Sequence, residues 1–289
     1  RSTLFPYTTL FRSTNRTRSP RTPVVAHRDR ATLRQLAERL PQAVIITAER
    51  GLDGTGAAEY LATLTPSEVI RLQLLEAKTT ITTEQIRTMI AMLRTHATVR
   101  RVIVIDPADQ MSEAAQNALL KSLEEPNANT HFLLVTENEQ QLLATIRSRC
   151  QVLALHRTSQ AQDETLLDAT SLTASERRQI LFLAAGRPLL IRQLARAPKL
   201  LSEYQAIATD AKCILSTPGS YEALRTLPSY FTDRTKALQL IDILLTMVAF
   251  QMKTQPSPAH QPLLGRIITA ETRLTHNGNV RLALINIVV

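Results

Sequence analysis

Between residues 43 and 155 five short, mostly apolar runs rich in β-branched residues recur, each followed by a segment of helical periodicity. That alternation limits the folds open to this chain more than any other feature. The runs are AVIIT at 43–47, VIRLQLL at 69–75, VIVI at 102–105, FLLV at 132–135 and VLAL at 152–155. A strand covered on one face alternates apolar and polar residues, whereas a parallel strand covered on both faces is apolar nearly throughout. The intervening segments supply the covering helices. Leu33, Leu36, Ala37 and Leu40 recur at helical spacing before Pro41, and Ile86, Met89, Ile90 and Leu93 share one face of a helix expected over 82–93. Ser112 is placed to cap a helix on which Ala115, Leu119 and Leu123 align, with Glu113 at the positive end of its dipole. A further helix is expected at about 139–147. Right-handed crossovers put such helices on the sheet faces, so the expected fold class is α/β, a doubly wound parallel sheet over 25–158.

After residue 158 the strand signal stops. Ser159 with Gln162 and Thr173 with Glu176 have capping-box spacing, Gly186 and Pro188 break the chain before another helix, and PSPAHQP at 256–262 interrupts a long helical region. Two all-α domains are expected there, at 159–200 and 201–289.

Composition removes several function classes. The chain of 289 residues has a net charge of +9, but eight of its 34 basic and one of its 25 acidic side chains lie in the first 34 residues, leaving a net +2 on the rest. The body is nearly neutral, so the charge is not the footprint of a nucleic-acid-binding domain. No uninterrupted apolar run approaches the ~18 residues of a membrane span, and a cytoplasmic location is expected. Cys150 and Cys213 are too few for a disulfide framework or a four-thiolate zinc site; two free thiols are favoured over one bridge. The first residues, RSTLFPYTTLFRST, repeat RST and TLF and lack an initiating methionine. Residues 1–13 resemble translated sequencing-adapter DNA, with a transit peptide and a native basic tail as the competing readings. Disorder is expected through about residue 24, because Ser/Thr/Arg/Pro composition buries too little surface to offset chain entropy.

In an open parallel sheet, ligands bind beyond the carboxyl ends of the strands, and three segments fall there. In RGLDGTGAAEYLA, Gly51, Gly54 and Gly56 follow the first strand. Gly51 and Gly56 take the glycine places of GxxxxGK[ST], while Ala57 and Ala58 stand where lysine and the hydroxyl belong. Lysine neutralises the β/γ-phosphates and the hydroxyl ligates magnesium; alanine does neither. Backbone amides at a helix start hold an anion weakly at best, and an ordinary strand-to-helix turn explains the glycines equally well. Asp106 ends the third strand where a nucleotide site places its magnesium aspartate, yet Pro107 follows where a carboxylate would polarise water; a cap or turn role is the alternative. Thr136 and Asn138 end the fourth strand, and Ser148, Arg149 and Cys150 precede the fifth, where a lone arginine is ordinarily a solvated charge.

IDPADQMSEAAQNALLKSLEEPNANTHFLLVTENEQQLLATIRSRCQ, residues 105–151, resembles the core of bacterial clamp-loader subunits of the AAA+ class, nearest to the delta-prime branch of the DNA polymerase III loader. Asp106 falls on the Walker B aspartate, Thr136 on the sensor 1 region, and Ser148, Arg149 and Cys150 on the SerArgCys motif. ITTEQIRTMIAML and NVRLALINIVV resemble further family segments, and GRPLLIRQL resembles the sensor 2 helix with Leu189 where ATP-binding relatives carry arginine. The resemblance implies a P-loop-type sheet domain with a degenerate loop, a helical lid at 159–200 and a C-terminal collar at 201–289 that assembles the hetero-oligomer. It implies that Arg149 reaches a neighbour's ATP as a trans arginine finger, with no intrinsic catalytic residue. Partners would be the ATPase motor and clamp-opening subunits and, through them, the sliding clamp and primed DNA. Neither zinc nor a bound nucleotide of its own is expected: the cysteine quartet of many relatives is missing, and lysine, hydroxyl and Walker B carboxylate are lost together. An active motor subunit of the same loader, an AAA+-derived scaffold outside replication and a basic nucleic-acid-binding protein are the rival readings.

Overall fold

The computed structural model describes residues 22–64, 67–74, 79–93, 99–127, 129–168, 170–216, 221–275 and 278–288. The adapter-like segment at 1–13 and most of the expected disordered leader lie outside them. Residues 22–24 do not, and here the expectation is corrected. Pro23 and Val24 are buried, because Val24 donates its amide to the Asp53 carboxylate at 3.0 Å and Val25 joins the sheet's apolar core.

The chain groups into two compact units. The first comprises residues up to 163 together with 186–190, and contains α1 (His27–Glu38), β1 (Ala43–Thr47), α2 (Gly54–Thr63), β2 (Ser67–Leu72), α3 (Thr83–Leu93), β3 (Arg100–Ile105), α4 (Glu113–Glu124), β4 (Thr130–Thr136), α5 (Ala144–Arg147) and β5 (Gln151–Ala154). All five strands are parallel, in the order β2-β3-β4-β1-β5. β1 and β4 are thus central neighbours, paired from Ala43 with Phe132 to Thr47 with Thr136.

Alternate residues of β1 to β4 feed two separate cores, as a two-layered cover requires. Val44, Ile46, Val102, Val104, Leu133 and Val135 face Leu33 and Leu36 of α1 and Ala57, Ala58 and Leu61 of α2. Ile45, Ile103, Ile105, Phe132 and Leu134 face Ile86 and Met89 of α3 and Ala115, Leu119 and Leu123 of α4. Each fully buried side chain of this kind contributes about 1.5–3 kcal/mol. Ser112 caps α4 as expected, its hydroxyl accepting from Ala115 N at 3.2 Å. β5 departs from the expectation of a buried strand: it is an edge, with Leu153 buried and Val152 46% exposed.

The single helix expected over 139–147 is two pieces, a 3₁₀ turn at Glu139–Gln141 and the four-residue α5. Leu142 and Leu143 between them are extended. The break is stabilised from outside: Gln116 of α4 accepts from Leu143 N at 2.8 Å and donates to Gln141 O at 3.2 Å, replacing ladder bonds that a continuous helix would have made itself.

The second unit, 164–185 and 191–289, is helical among its described residues. After α6 (Gln160–Leu167) come α7 (Ala174–Ala184), α8 (Pro188–Arg196), α9 (Pro198–Ser216), α10 (Tyr221–Thr226), α11 (Arg234–Thr254), α12 (His260–Thr275) and α13 (Val280–Val288). α7 opens on the capping box read from Thr173 and Glu176. α11 packs on α9 and α12, and α12 on α13. By length and composition alone α11 is apolar enough to cross a membrane. Its Ala237, Leu240, Ile241, Ile243, Leu244 and Val248 are buried, and it packs on α9 and α12. Tyr230 donates to Asp210 at 2.6 Å within this unit.

Candidate functional site

Three strand ends converge where the sequence places its motifs. β1 runs into the loop at 48–53, β3 into Asp106, and β4 ends at Thr136, which is 1% exposed and accepts Ala48 N on its carbonyl at 2.9 Å. The Thr136 hydroxyl accepts from Asn138 N at 3.0 Å, turning the chain out of the strand.

The loop is held in one conformation by its own groups. Gly51 has φ +90°, and a Cβ there would lie 3.1 Å from the Cβ atoms of both Arg187 and Leu190. Its carbonyl accepts from Leu189 N at 3.0 Å and Leu190 N at 3.3 Å, so the residue at the sensor 2 place meets the loop through its backbone amide. A Cβ on Gly54 would lie 2.8 Å from that of Ala48 and 3.1 Å from Val135 Cγ1, so a side chain could enter this position only if the backbone moved. Asp53, 2% exposed, is the N-cap of α2: its Oδ1 accepts from Gly56 N at 3.1 Å and its Oδ2 from Val24 N at 3.0 Å. A Cβ on Gly56 would fall 2.4 Å from the same carboxylate. The positive end of the α2 dipole is therefore matched by an anion belonging to the chain.

The geometry brings another residue of the loop to Asp106. Ala57 and Ala58, aligned with lysine and the hydroxyl, lie in the first half of α2, are fully buried, and pack in the apolar layer beneath the sheet. They do not face Asp106. The residue that does is Thr55, whose hydroxyl donates to Asp106 Oδ2 at 2.6 Å. A hydroxyl thus stands beside the strand-end aspartate after all, three residues earlier than the Gly51/Gly56 spacing predicts, because α2 starts at Gly54. Burial pushes the Asp106 carboxyl above its ordinary range, the Thr55 bond partly offsets this, and the nearby Asp109 and Glu59 charges add to the rise. Pro107 follows through a cis peptide and brings no carboxylate.

Asp109 is also raised, mainly by burial, against a bond that its Oδ2 accepts from Glu137 N at 3.2 Å. It ties the turn after β3 to the turn after β4. Gln116 makes the second tie, donating to Met111 O at 3.3 Å as well as holding Gln141 and Leu143.

Arg149 belongs to a different locus, the turn after α5. Its Nη2 lies 2.6 Å from Glu124 Oε1, and its Nη1 donates to Thr145 O at 2.9 Å and Ser148 Oγ at 3.3 Å. The Arg149 side chain is 35% exposed. Ser148 itself donates to Thr145 O at 3.0 Å. Cys150 packs against the α3/α4 core, and burial pushes its thiol up to about 11, which makes it an apolar filler rather than a nucleophile. Cys150 and Cys213 are not joined in a disulfide. No cluster of three metal-ligating side chains occurs among the described residues.

Thr55, Asp53, Asp109, Gln116, Glu124 and Arg187 are the site residues that sequence reasoning missed. Asp53 alone carried a local signal, an aspartate directly before a glycine-rich helix start. Arg187, 2% exposed against Gly51, carried none.

Comparison with known proteins bears on these same segments. Residues 8–159 match the family described as DNA polymerase III, delta subunit. A stretch of 113 residues is 42% identical to the DNA polymerase III subunit delta' of Haemophilus influenzae, covering 37% of this chain and 34% of that protein. Over 54 residues, 19% of this chain and 16% of the relative, identity with the subunit delta' of Bacillus subtilis is 54%. The matched region spans about a third or less of these relatives' length. In fold, the chain is similar to a DNA polymerase III gamma subunit-related protein of Thermotoga maritima, with a TM-score of 0.51 at 20% identity over 89% of this chain and 96% of that one. With a five-stranded parallel sheet and a family match over more than half its length, the chain belongs to the DNA polymerase III delta subunit family, as a delta-prime-like member.

Proposed function

We propose that the chain is a non-hydrolysing subunit of the DNA polymerase III clamp loader, which holds no nucleotide productively and presents Arg149 to the ATP of an adjoining subunit. The observation that carries this reading is the loop before α2. Phosphate binding at a helix N-terminus needs free, inward-pointing amides and a lysine for the β/γ-phosphates. Here the Asp53 carboxylate takes Gly56 N and Val24 N, and Ala57, at the lysine place, is buried in the apolar layer. An incoming phosphate would meet a buried negative charge instead of a cation.

Arg149 supports the second half of the reading. It is partly exposed on a turn braced by Ile146 and Cys150 in the core, and a guanidinium offers a planar, permanently charged fork to phosphate oxygens. The partners would be the loader's ATPase and clamp-opening subunits, with the sliding clamp and primed DNA reached through the assembly in the cytoplasm. The division of the helical part into a lid at 159–200 and an oligomerising collar at 201–289 is part of the same proposal.

One observation favours the rival motor reading: the Thr55–Asp106 contact keeps a hydroxyl and an aspartate together as a magnesium site would. Isothermal titration of the purified chain with ATP and magnesium separates the two. Binding weaker than about 1 mM is expected, and a saturable micromolar isotherm would sink the non-hydrolysing reading.

A further inference from the structure

We infer that Glu124 is the positioning residue for Arg149, holding its guanidinium by a terminal nitrogen in the orientation from which it meets a neighbour's phosphate. This rests on the proposed trans role of Arg149 and adds the group that makes it effective. Glu124 is the last residue of α4, and its Oε1 lies 2.6 Å from Arg149 Nη2. Thr145 O and Ser148 Oγ accept from Nη1. Among the described residues no acceptor meets Nε, so the guanidinium is oriented by its terminal nitrogens and keeps its Nε–H unpaired.

Two features mark this pairing as more than a chance surface contact. First, an acid in the last turn of a helix sits at the negative end of the dipole, where it is locally unfavourable; the Arg149 cation offsets that cost. Second, the pair is not what holds the two segments together. Leu119 and Leu123 of α4 share one apolar cluster with Ile146 and Cys150, so packing fixes the distance between α4's end and the Arg149 turn. Removing the Glu124 carboxylate would therefore release the guanidinium without releasing the backbone.

Magnitude decides between positioning and sequestering. Both partners are partly exposed, at 35% and 47%, and such a pair biases a side chain by about fivefold at most. Phosphate oxygens form stronger charge-assisted bonds than this, so Glu124 cannot withhold Arg149 from them. It can only narrow the orientations from which the guanidinium starts, and the gain appears when the transition state forms.

The test is steady-state ATP hydrolysis by the reconstituted loader carrying the wild-type chain, Glu124→Ala, Glu124→Gln, Arg149→Ala, or Glu124→Ala with Arg149→Ala. Expected is a loss in kcat of about three- to fivefold for Glu124→Ala with KM for ATP unchanged, since a transition-state contact is lost. Glu124→Gln, which keeps an acceptor oxygen, should recover at least half of it. With Arg149 already removed, Glu124→Ala should change nothing further. If Arg149→Ala slows the loader while Glu124→Ala leaves kcat unchanged or raises it, the inference fails and the trans role of Arg149 stands. An equal loss from Glu124→Ala in both backgrounds assigns Glu124 a structural role and overturns the inference. If Arg149→Ala itself has no effect, the trans role fails and the inference falls with it.

Discussion

Replacing Asp53 with alanine tests whether the loop before α2 is held by its own carboxylate. Two buried donors lose their acceptor at once. Gly56 N loses the cap of α2, which costs about 1 kcal/mol, within a range of roughly 0.5–2 kcal/mol. Val24 N, on a residue only 3% exposed, is left without an acceptor, which costs about 1–3 kcal/mol. Together the substitution should destabilise the first unit by about 2–4 kcal/mol. Asp53→Asn keeps an amide oxygen for one of the two donors and should cost about half as much. The chain has no tryptophan, so Tyr60→Trp on α2 provides a clean fluorescence reporter of that unit. With a urea m-value of about 2 kcal/mol per molar, the Asp53→Ala midpoint should fall by about 1–2 M in that background. A shift below ~0.2 M, or equal shifts for alanine and asparagine, would refute the two-donor account of the loop.

Asp106 supplies a pH prediction. Its carboxyl is raised in the folded state, chiefly by burial, so the folded protein binds its proton more tightly than the unfolded chain does. Stability from this group is full below the unfolded value and is lost as pH rises through the folded one. Asp106→Asn, which still accepts from Thr55, should therefore be more stable than wild type at pH 7 and lose that advantage at pH 3 in urea titrations. Cys150, with its thiol near 11, should react with iodoacetamide at pH 8 about a hundredfold more slowly in the folded Cys213→Ser chain than after unfolding in urea; equal rates would contradict its burial. Gln116→Ala strips acceptors or donors from Met111 O, Gln141 O and Leu143 N and should cost about 2–4 kcal/mol in the same urea assay. A cost under ~0.5 kcal/mol would show that the 142–143 break does not depend on it.

The strand alternation was legible because a doubly covered parallel sheet leaves a composition signature that few other structures share. Ser112 and the Thr173/Glu176 box were legible because caps are local chemistry. The order of the strands was not, since which edges meet depends on crossovers and not on any one run. The 139–147 segment has helical periodicity, yet it breaks at Leu142 because Gln116, distant in sequence, offers hydrogen bonds that sequence windows do not contain. Which loop residue meets Asp106 was not legible for a related reason. Gly51 and Gly56 fit a spacing, but the start of α2 is set by Asp53 and Val24, 29 residues apart, and that start brings Thr55 rather than Ala58 to Asp106. Arg149 was found by its motif, whereas its partner Glu124 became visible only when α4 and the following turn were packed together.

The most direct measurement is single-turnover hydrolysis of ATP by the loader reconstituted with wild-type chain or with Arg149→Ala. A guanidinium supplied in trans accelerates such chemistry by about 10³–10⁵, so the ATP bound at the adjoining subunit should remain unhydrolysed over the wild-type time course, with its binding intact. Equal amplitudes and rates for the two assemblies would contradict the claim that this chain serves an ATP it does not itself hold.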